Sequence, residues 1–311
     1  MPKLTDSAAA AIVASYSGGL SAKDAGAAVG LSEITAWKLL RSRGLMRPRR
    51  YCAVDHHFFD TVDSAHKAYW LGWLFADGCV TAPRRGQAYV SLSLQAGDRD
   101  VIERLRAAVG STHKICEHFA RCGSGSCDTC ATSGGHRAVR FGFSSGPMAD
   151  ALGRYGVVPR KSFVAVPPRL PVDLEPAFWR GVFEGNGHVS ISRDADGAPR
   201  TGVPHMLSVC GSFPTCRTFL SFVLDRIGGQ PVQVTVGGKR RLVGSIRLGL
   251  HRGAAVARIL YDGADEQHRL ERKHSAAMEL IAIADAAPEW RRRQMEFRRG
   301  HSSTTSTPSI F

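Results

Sequence analysis

Nowhere in the 311 residues is there a run of about 18 uninterrupted apolar residues, the length a helix needs to cross a bilayer. A membrane-spanning helix is therefore not expected. The first residues, Met1-Pro-Lys-Leu-Thr-Asp6, also lack the apolar core of a secretory signal. A soluble protein of bacterial or phage-infected host cytoplasm, without a membrane partner, is expected. Acid is scarce as well. There are 27 Asp and Glu against 41 Lys and Arg, a formal net charge of +14. That surplus suits a polyanionic partner, because basic surfaces release counterions from phosphates. What remains is ordinary: 43% hydrophobic residues and a length sufficient for two domains, one with a sizeable core.

The most informative feature present is an internal repeat. Ala68-Tyr-Trp-Leu-Gly-Trp-Leu-Phe-Ala-Asp-Gly78 and Ala177-Phe-Trp-Arg-Gly-Val-Phe-Glu-Gly-Asn-Gly187 share Ala-aromatic-Trp, then Gly, an apolar stretch, a small residue, Asp or Asn, and Gly. The final polar positions, Asp77 and Asn186, are 109 residues apart. A repeat at that spacing predicts pseudo-two-fold symmetry, and a symmetric protein is suited to a near-symmetric duplex. Within each copy the Gly and the small residue four later, Gly72 with Ala76 and Gly181 with Gly185, share a helical face. Such a stripe lets two helix backbones approach closely. The two helices are expected to pack on each other, bringing Asp77 and Asn186 together, with Gly78 and Gly187 as left-handed terminating residues.

Trp70–Gly78 and Trp179–Gly187 resemble the nine-residue motif of the LAGLIDADG homing endonucleases in their single-chain, two-motif form. The first copy matches well. The second ends Glu-Gly-Asn-Gly, departing from the family where its acidic residue stands. The family pattern also places a Lys after each copy, and Lys161 (Val158-Pro-Arg-Lys-Ser162) and Lys273 (Leu270-Glu-Arg-Lys-His-Ser275) fill those places. The resemblance covers roughly residues 60 to 280. It implies two αββαββα-like halves forming an α+β core, with curved sheets making a saddle over double-stranded DNA that carries a long pseudo-palindromic site. It also implies a monomer with internal symmetry. No terminal His-Asn or N-terminal Cys or Ser splicing junction is visible, so an intein is not expected.

Before the repeat, residues 5 to 43 read as helical. Ser21 and Ser32 are suited to N-caps, Ala25, Gly26 and Gly30 to a tight crossing of two short helices, and Val29, Leu31 and Leu39 to the contacts between them. This resembles a helix-turn-helix of the resolvase or transposase type. Its second helix would present Glu33, Thr35, Lys38 and Arg41 to a major groove, followed by a basic arm, Arg47-Pro-Arg49-Arg50, for phosphates or a minor groove.

The expected organisation is a helix-turn-helix domain over 1–50, a linker over 51–64, a first half over 65–165, a second half over 166–285, and a basic, disordered tail over 286–311. Alternating patterns predict strands at Gln87–Leu94, Val139–Phe143, His205–Gly211 and a hairpin of Val232–Val236 with Leu242–Leu250. Helices are expected at Asp98–Val109, Gly146–Tyr155, Thr215–Ile227, Ala254–Tyr261 and Gln267–Ala284.

Hydrolysis of a phosphodiester needs an activated water and stabilised phosphate charge, and divalent metals supply both. Mg²⁺ (or Mn²⁺) takes few carboxylates and keeps most of its waters. Asp77 and Asn186, with the carbonyls of Ala76 and Gly185, are the expected cradle, and Lys161 and Lys273 are expected to steady phosphate charge or polarise water. Asn186 brings an oxygen ligand but no charge. Glu184 cannot replace it, because two positions along a helix is about 200° around the axis. One half-site is therefore expected to be impaired, giving slower, nicking or asymmetric cleavage. The alternative is a DNA-binding regulator or maturase on the same scaffold, without cleavage.

Four of the eight cysteines, Cys116, Cys122, Cys127 and Cys130, fall in a Gly/Ser-rich stretch within an insertion over 113–136. Cys127-Asp-Thr-Cys130 has the spacing of a zinc knuckle, and a structural Zn²⁺ is one reading, free thiols in a loop the other. A zinc-containing DNA-binding module with a purely structural core is the remaining class.

Overall fold

The computed structural model describes residues 4–46, 52–82, 87–120, 135–237 and 243–287. Arg47, Arg49, Arg50, Cys122, Cys127, Cys130 and nearly all of the expected tail lie outside these. The chain forms two compact units, Met1–Cys52 and Ala53–Phe311.

Among its described residues the first unit holds three helices, α1 (Asp6–Ser17), α2 (Ala22–Ala27) and α3 (Glu33–Ser42). Thr5, Ser21 and Ser32 cap them, each side-chain oxygen accepting from a backbone N–H of the first turn. Gly30, at φ +70°, makes the turn into α3. Ile12, Tyr16, Ala25, Leu31, Ala36, Leu39 and Leu40 form a core separate from that of the second unit. Gly26 is fixed by closeness: a Cβ there would stand 3.1 Å from the Leu31 carbonyl and 3.2 Å from Ala36 Cβ.

The second unit is α+β and duplicated. Its first half runs α4 (Ala65–Ala76), β1 (Gly78–Val80), β2 (Tyr89–Gln95), α5 (Arg99–Ala108), β3 (Cys116–Ala120), β4 (His136–Ser144) and α6 (Gly146–Arg154). The second half repeats the order with α7 (Glu175–Asn186), β5 (Gly187–Ser190), β6 (Met206–Ser212), α8 (Phe213–Ile227), β7 (Thr235–Gly237), β8 (Val243–Gly249) and α9 (Leu250–Tyr261), then adds α10 (Glu271–Ala286). Among the described residues each half has one antiparallel four-stranded sheet, in the orders β1-β2-β4-β3 and β5-β6-β8-β7. One strand face packs inward on the helices. On the other face Ser91, Ser93 and Arg140 in the first half, and His188, Ser208 and Arg247 in the second, stand partly or fully exposed.

Five details differ from the sequence reading. The insertion expected over 113–136 is narrower than that, because Cys116–Ala120 is β3, paired with β4, which itself begins at His136. Residues 53–62 do not span freely: Phe58, Phe59 and Val62 are buried, and the Asp55 N–H donates to the Val109 carbonyl at 2.8 Å. The helix expected from Ala254 starts at Leu250, directly after β8. The helix expected from Gln267 begins at Glu271. Arg269 and Leu270 are extended, because buried Leu270 turns its N–H to the Glu184 carboxylate at 2.8 Å. The expected strand Val232–Val236 pairs only over Thr235–Gly237, and Val232 and Val234 pack on the core instead.

Candidate active site

The motif helices α4 and α7 meet where their glycines fall. Gly72 and Gly181 face each other so closely that a Cβ on either would be 3.0 Å from the other's Cα. It would also collide with a backbone carbonyl, that of Phe178 for Gly72 and that of Tyr69 for Gly181. The pairing is reciprocal at the 109-residue offset, as a pseudo-two-fold axis between the helices requires. Ala68–Phe75 and Ala177–Glu184 are buried without interruption, so both helices are core on every side. Neither Gly78 nor Gly187 is left-handed, contrary to expectation. They open β1 and β5 in ordinary conformations. Glycine is needed there because a side chain would strike the preceding helical turn, Leu74 in one half and Phe183 in the other.

One turn along, the small pair brings the helix ends together. A Cβ on Gly185 would lie 2.6 Å from Ala76 Cβ and 2.9 Å from Asp77 Oδ2. The Asp77 carboxylate therefore rests over Gly185, the residue before partly buried Asn186. Solvent reaches Asp77, but protein crowds around it, and lost hydration raises its pKa above the ordinary carboxylate value while Lys161 and Lys273 pull it down. Lys161 and Lys273 are buried. The Lys161 ammonium donates to the Ala76 carbonyl at 2.6 Å, and that of Lys273 donates to the Gly187 carbonyl. Burial lowers both lysine pKa values. Asp77 opposes the shift at each, and Arg272 adds to it at Lys273.

Two buried acids brace the site: Asp98, which the sequence reading missed, and Glu184, which it set apart from the motif ends. Asp98 is buried and accepts two hydrogen bonds from Arg272, at 2.9 and 2.6 Å, and one from Gln95 at 3.0 Å. Glu184, fully buried, accepts from the Tyr69 hydroxyl at 2.7 Å and from the Leu270 N–H, bridging the halves. As expected, it does not join the motif ends. Desolvation raises its pKa to about 7, against the pull of those hydrogen bonds and of Arg180. Because the folded value exceeds the unfolded value of 4.5, this group stabilises the fold most below about pH 4.5, and that contribution is lost as pH rises to about 7. The loss is roughly 3 kcal/mol. Glu184→Gln removes the titration. Its stability relative to the parent, from urea midpoints, is expected to rise from about pH 5 to about pH 8, and an unchanged difference would contradict the bridging role.

Among the described residues no group of three or more His, Cys, Asp or Glu is arranged to hold a metal. The motif ends offer one exposed carboxylate and one side-chain amide, and the Ala76 carbonyl already accepts from Lys161. This donor set is too sparse for a closed cage. It fits Mg²⁺, which binds through one or two carboxylates and completes its shell with water and substrate phosphate. Cys116 is exposed on β3, and its three expected zinc partners lie outside the described residues.

In the first unit Glu33, Lys38 and Arg41 are exposed on α3. Thr35 is half-buried and its hydroxyl shares a hydrogen bond with the capping Ser32 at 2.9 Å. Ile34 and Trp37, missed by the sequence reading, are exposed at 66% and 40%, and the Arg41 guanidinium lies 5.0 Å from the Trp37 ring centre. Positions 34, 37, 38 and 41 form one stripe. Apolar residues in it were the signal to follow.

No family model matches the chain, and no curated protein does. Among solved structures it is similar to the LAGLIDADG homing endonuclease I-GzeII in complex with its DNA target, at 10% identity, 76% of this chain, 98% of that one and a TM-score of 0.45. It is similar to the LAGLIDADG homing endonuclease I-LtrWI bound to target DNA, at 10% identity, 80% and 99% coverage and a TM-score of 0.44. It is also similar to the LAGLIDADG meganuclease I-CpaMI bound to uncleaved DNA, at 10% identity, 78% and 100% coverage and a TM-score of 0.45.

Proposed function

We propose that this chain is a site-specific DNA endonuclease of the LAGLIDADG homing type, metal-dependent and asymmetric between its two strands. The observation that carries the reading is the meeting of the motif helices. Two repeated helices pack through Gly72 and Gly181 and end at Asp77 and Asn186, and Lys161 and Lys273 reach those ends from other segments, each bonded to a carbonyl there. Duplicated packing alone would be served by any small residues. It does not require an exposed carboxylate between two buried lysines.

In this reading Asp77 anchors Mg²⁺ or Mn²⁺ and Asn186 offers an amide oxygen from the other side. When bound, the metal supplies an activated water and neutralises phosphate charge. Lys161 and Lys273 hold positive charge next to the helix ends, where charge grows on the attacked phosphates. Each is fixed by a carbonyl hydrogen bond, so little reorganisation is needed. The exposed strand faces, with Arg140 and Arg247, contact the duplex, and the α3 stripe of the first unit adds a second DNA contact, Lys38 and Arg41 to phosphate and base edges beside Ile34 and Trp37. The net charge of +14 suits that partner.

Asn186 favours a second reading, a DNA-binding protein without cleavage. Asn186→Asp separates the two. It restores the missing charge and is expected to speed the slower strand's cut about tenfold, or ~1.4 kcal/mol of barrier. The check is the ratio of linear to nicked plasmid bearing a site selected by the protein from random duplexes. A variant that binds this site with Mg²⁺ and leaves it whole would favour the binder.

A further inference from the structure

Each lysine sits on a segment gripped by the opposite half. Lys273 stands on α10, in the second half. The grip on it comes from the start of α5, in the first half: buried Asp98 takes both hydrogen bonds of Arg272, the residue next to Lys273. Further along α5, Arg104 donates to the carbonyls of Glu266, Gln267 and Arg269 at 2.7, 2.8 and 2.9 Å, clamping the segment that leads into α10. Asp100 holds Arg104 in place through an ion pair at 2.7 Å.

The other lysine is held the same way round. Lys161 lies in a short 3-10 turn, Lys161–Phe163, whose carbonyl at Lys161 accepts from the Ala165 N–H at 2.8 Å. The Ala165 carbonyl in turn accepts from Ser212 Oγ at 2.5 Å and Thr215 Oγ1 at 3.3 Å. Both hydroxyls are buried, and they stand at the start of α8, which occupies in the second half the place α5 has in the first. Ser212 also caps α8, so its position is fixed by the helix it begins.

We infer that Asp98 and Arg104 are positioning residues for Lys273, and Ser212 and Thr215 for Lys161, so that each half sets the lysine of the other. This rests on the nuclease reading above, but the placement can be tested without it. The two grips differ in kind. The Asp98–Arg272 contact is an ion pair with a buried carboxylate, whereas the Ser212–Ala165 contact is neutral. The Asp98 side chain is 6% exposed and that of Arg272 49%, so loss of Asp98 leaves the guanidinium to solvent without its anchor and frees the segment that carries Lys273. A shift of about 1 Å at a group acting on the transition state costs about a hundredfold in rate.

The test uses the full chain. Hydrogen exchange of the amides is compared in the parent, Asp98→Ala and the pair Ser212→Ala with Thr215→Val. Asp98→Ala is expected to speed exchange at 269–275 and leave 161–166 unchanged, and the hydroxyl variant to do the reverse. Exchange that rises equally in both segments, or in neither, overturns the inference. Where the parent cuts its selected duplex, strand-resolved single-turnover rates add a second readout. Lys273→Met marks the strand that Lys273 serves. Asp98→Ala is expected to slow that same strand about a hundredfold, to spare the other, and to add little on top of Lys273→Met. Exchanging the charges, Asp98→Arg with Arg272→Asp, is expected to recover much of the loss. Equal slowing of both strands, or full additivity with Lys273→Met, overturns the inference even with the nuclease reading intact. A parent that binds but never cuts removes the nuclease reading and leaves the exchange result to decide the placement.

Discussion

Asp77→Asn is expected to lower cleavage of both strands by a factor of about a thousand or more while leaving duplex affinity within a few-fold. The expectation follows from the charge inventory at the helix ends. Among the described residues Asp77 is the only acidic side chain there, because its counterpart at the 109-residue offset is Asn186 and the nearby acids are engaged elsewhere. Glu184 is turned to Tyr69 and Leu270, and Asp98 to Arg272 and Gln95. An amide at position 77 keeps the shape and loses the negative charge that anchors a divalent cation. Two buried ammonium groups would then lose the carboxylate that acts on both of them, and the variant is also expected to bind Mg²⁺ more weakly, having no charge to anchor it. Single-turnover rates with matched binding curves check both halves of the statement. A variant that still cuts at more than about a tenth of the parent rate would remove Asp77 from the chemistry.

The second large effect is on stability. Gly72→Ala and Gly181→Ala each place a methyl group where the partner helix already has backbone, with the opposing Cα 3.0 Å away and a carbonyl in direct collision. Backbone cannot step aside as a flexible side chain can. The helices must separate, opening a core that includes Tyr69, Trp70, Trp73, Phe178 and Phe183. Overpacking of this kind costs about 3 kcal/mol or more, at the upper end of single substitutions. Denaturant midpoints measure it. Helix propensity predicts the opposite sign, since Ala exceeds Gly by about 1 kcal/mol in a helix interior, so a stabilised variant would show that the helices do not meet there. Gly185→Ala is a milder probe of the same contact. Its methyl group meets Ala76 and the Asp77 carboxylate, so activity is expected to fall further than stability does.

That contact was legible in the sequence because it is local and repeated. The Gly-to-small spacing within each motif marks one helical face, and the second copy shows that the face has a partner like itself. The alternating strands around Leu92 and Val209 and the caps at Ser21 and Ser32 were legible for the same reason: each depends on a few neighbouring residues. What escaped depends on contacts across the chain. Asp98 reads as an ordinary residue at a helix start until Arg272, 174 positions away, is brought to it. Leu270 interrupts a helical pattern because Glu184 claims its N–H, and nothing near Leu270 announces that. Phe58 and Phe59 sat in a segment read as a linker, where an apolar pair was the available clue. The termini of the motif helices misled in a different way. Glycine after a helix usually serves a left-handed cap, but at positions 78 and 187 it serves closeness to the preceding turn.

The asymmetry of the site also orders the two cuts. The half that contains Asp77 keeps its carboxylate, whereas the half that contains Asn186 must share it. A duplex held by both halves is then expected to pass through a nicked form, always broken first in the same strand.

The most direct test is a time course on supercoiled plasmid carrying a duplex selected by the protein, with Mg²⁺, for the parent and Asp77→Asn. The account predicts nicked plasmid that accumulates before linear product in the parent, with the first nick confined to one strand, and neither product in the variant. Plasmid that stays supercoiled while the protein is bound to its site, or product that forms equally in the variant, would contradict it.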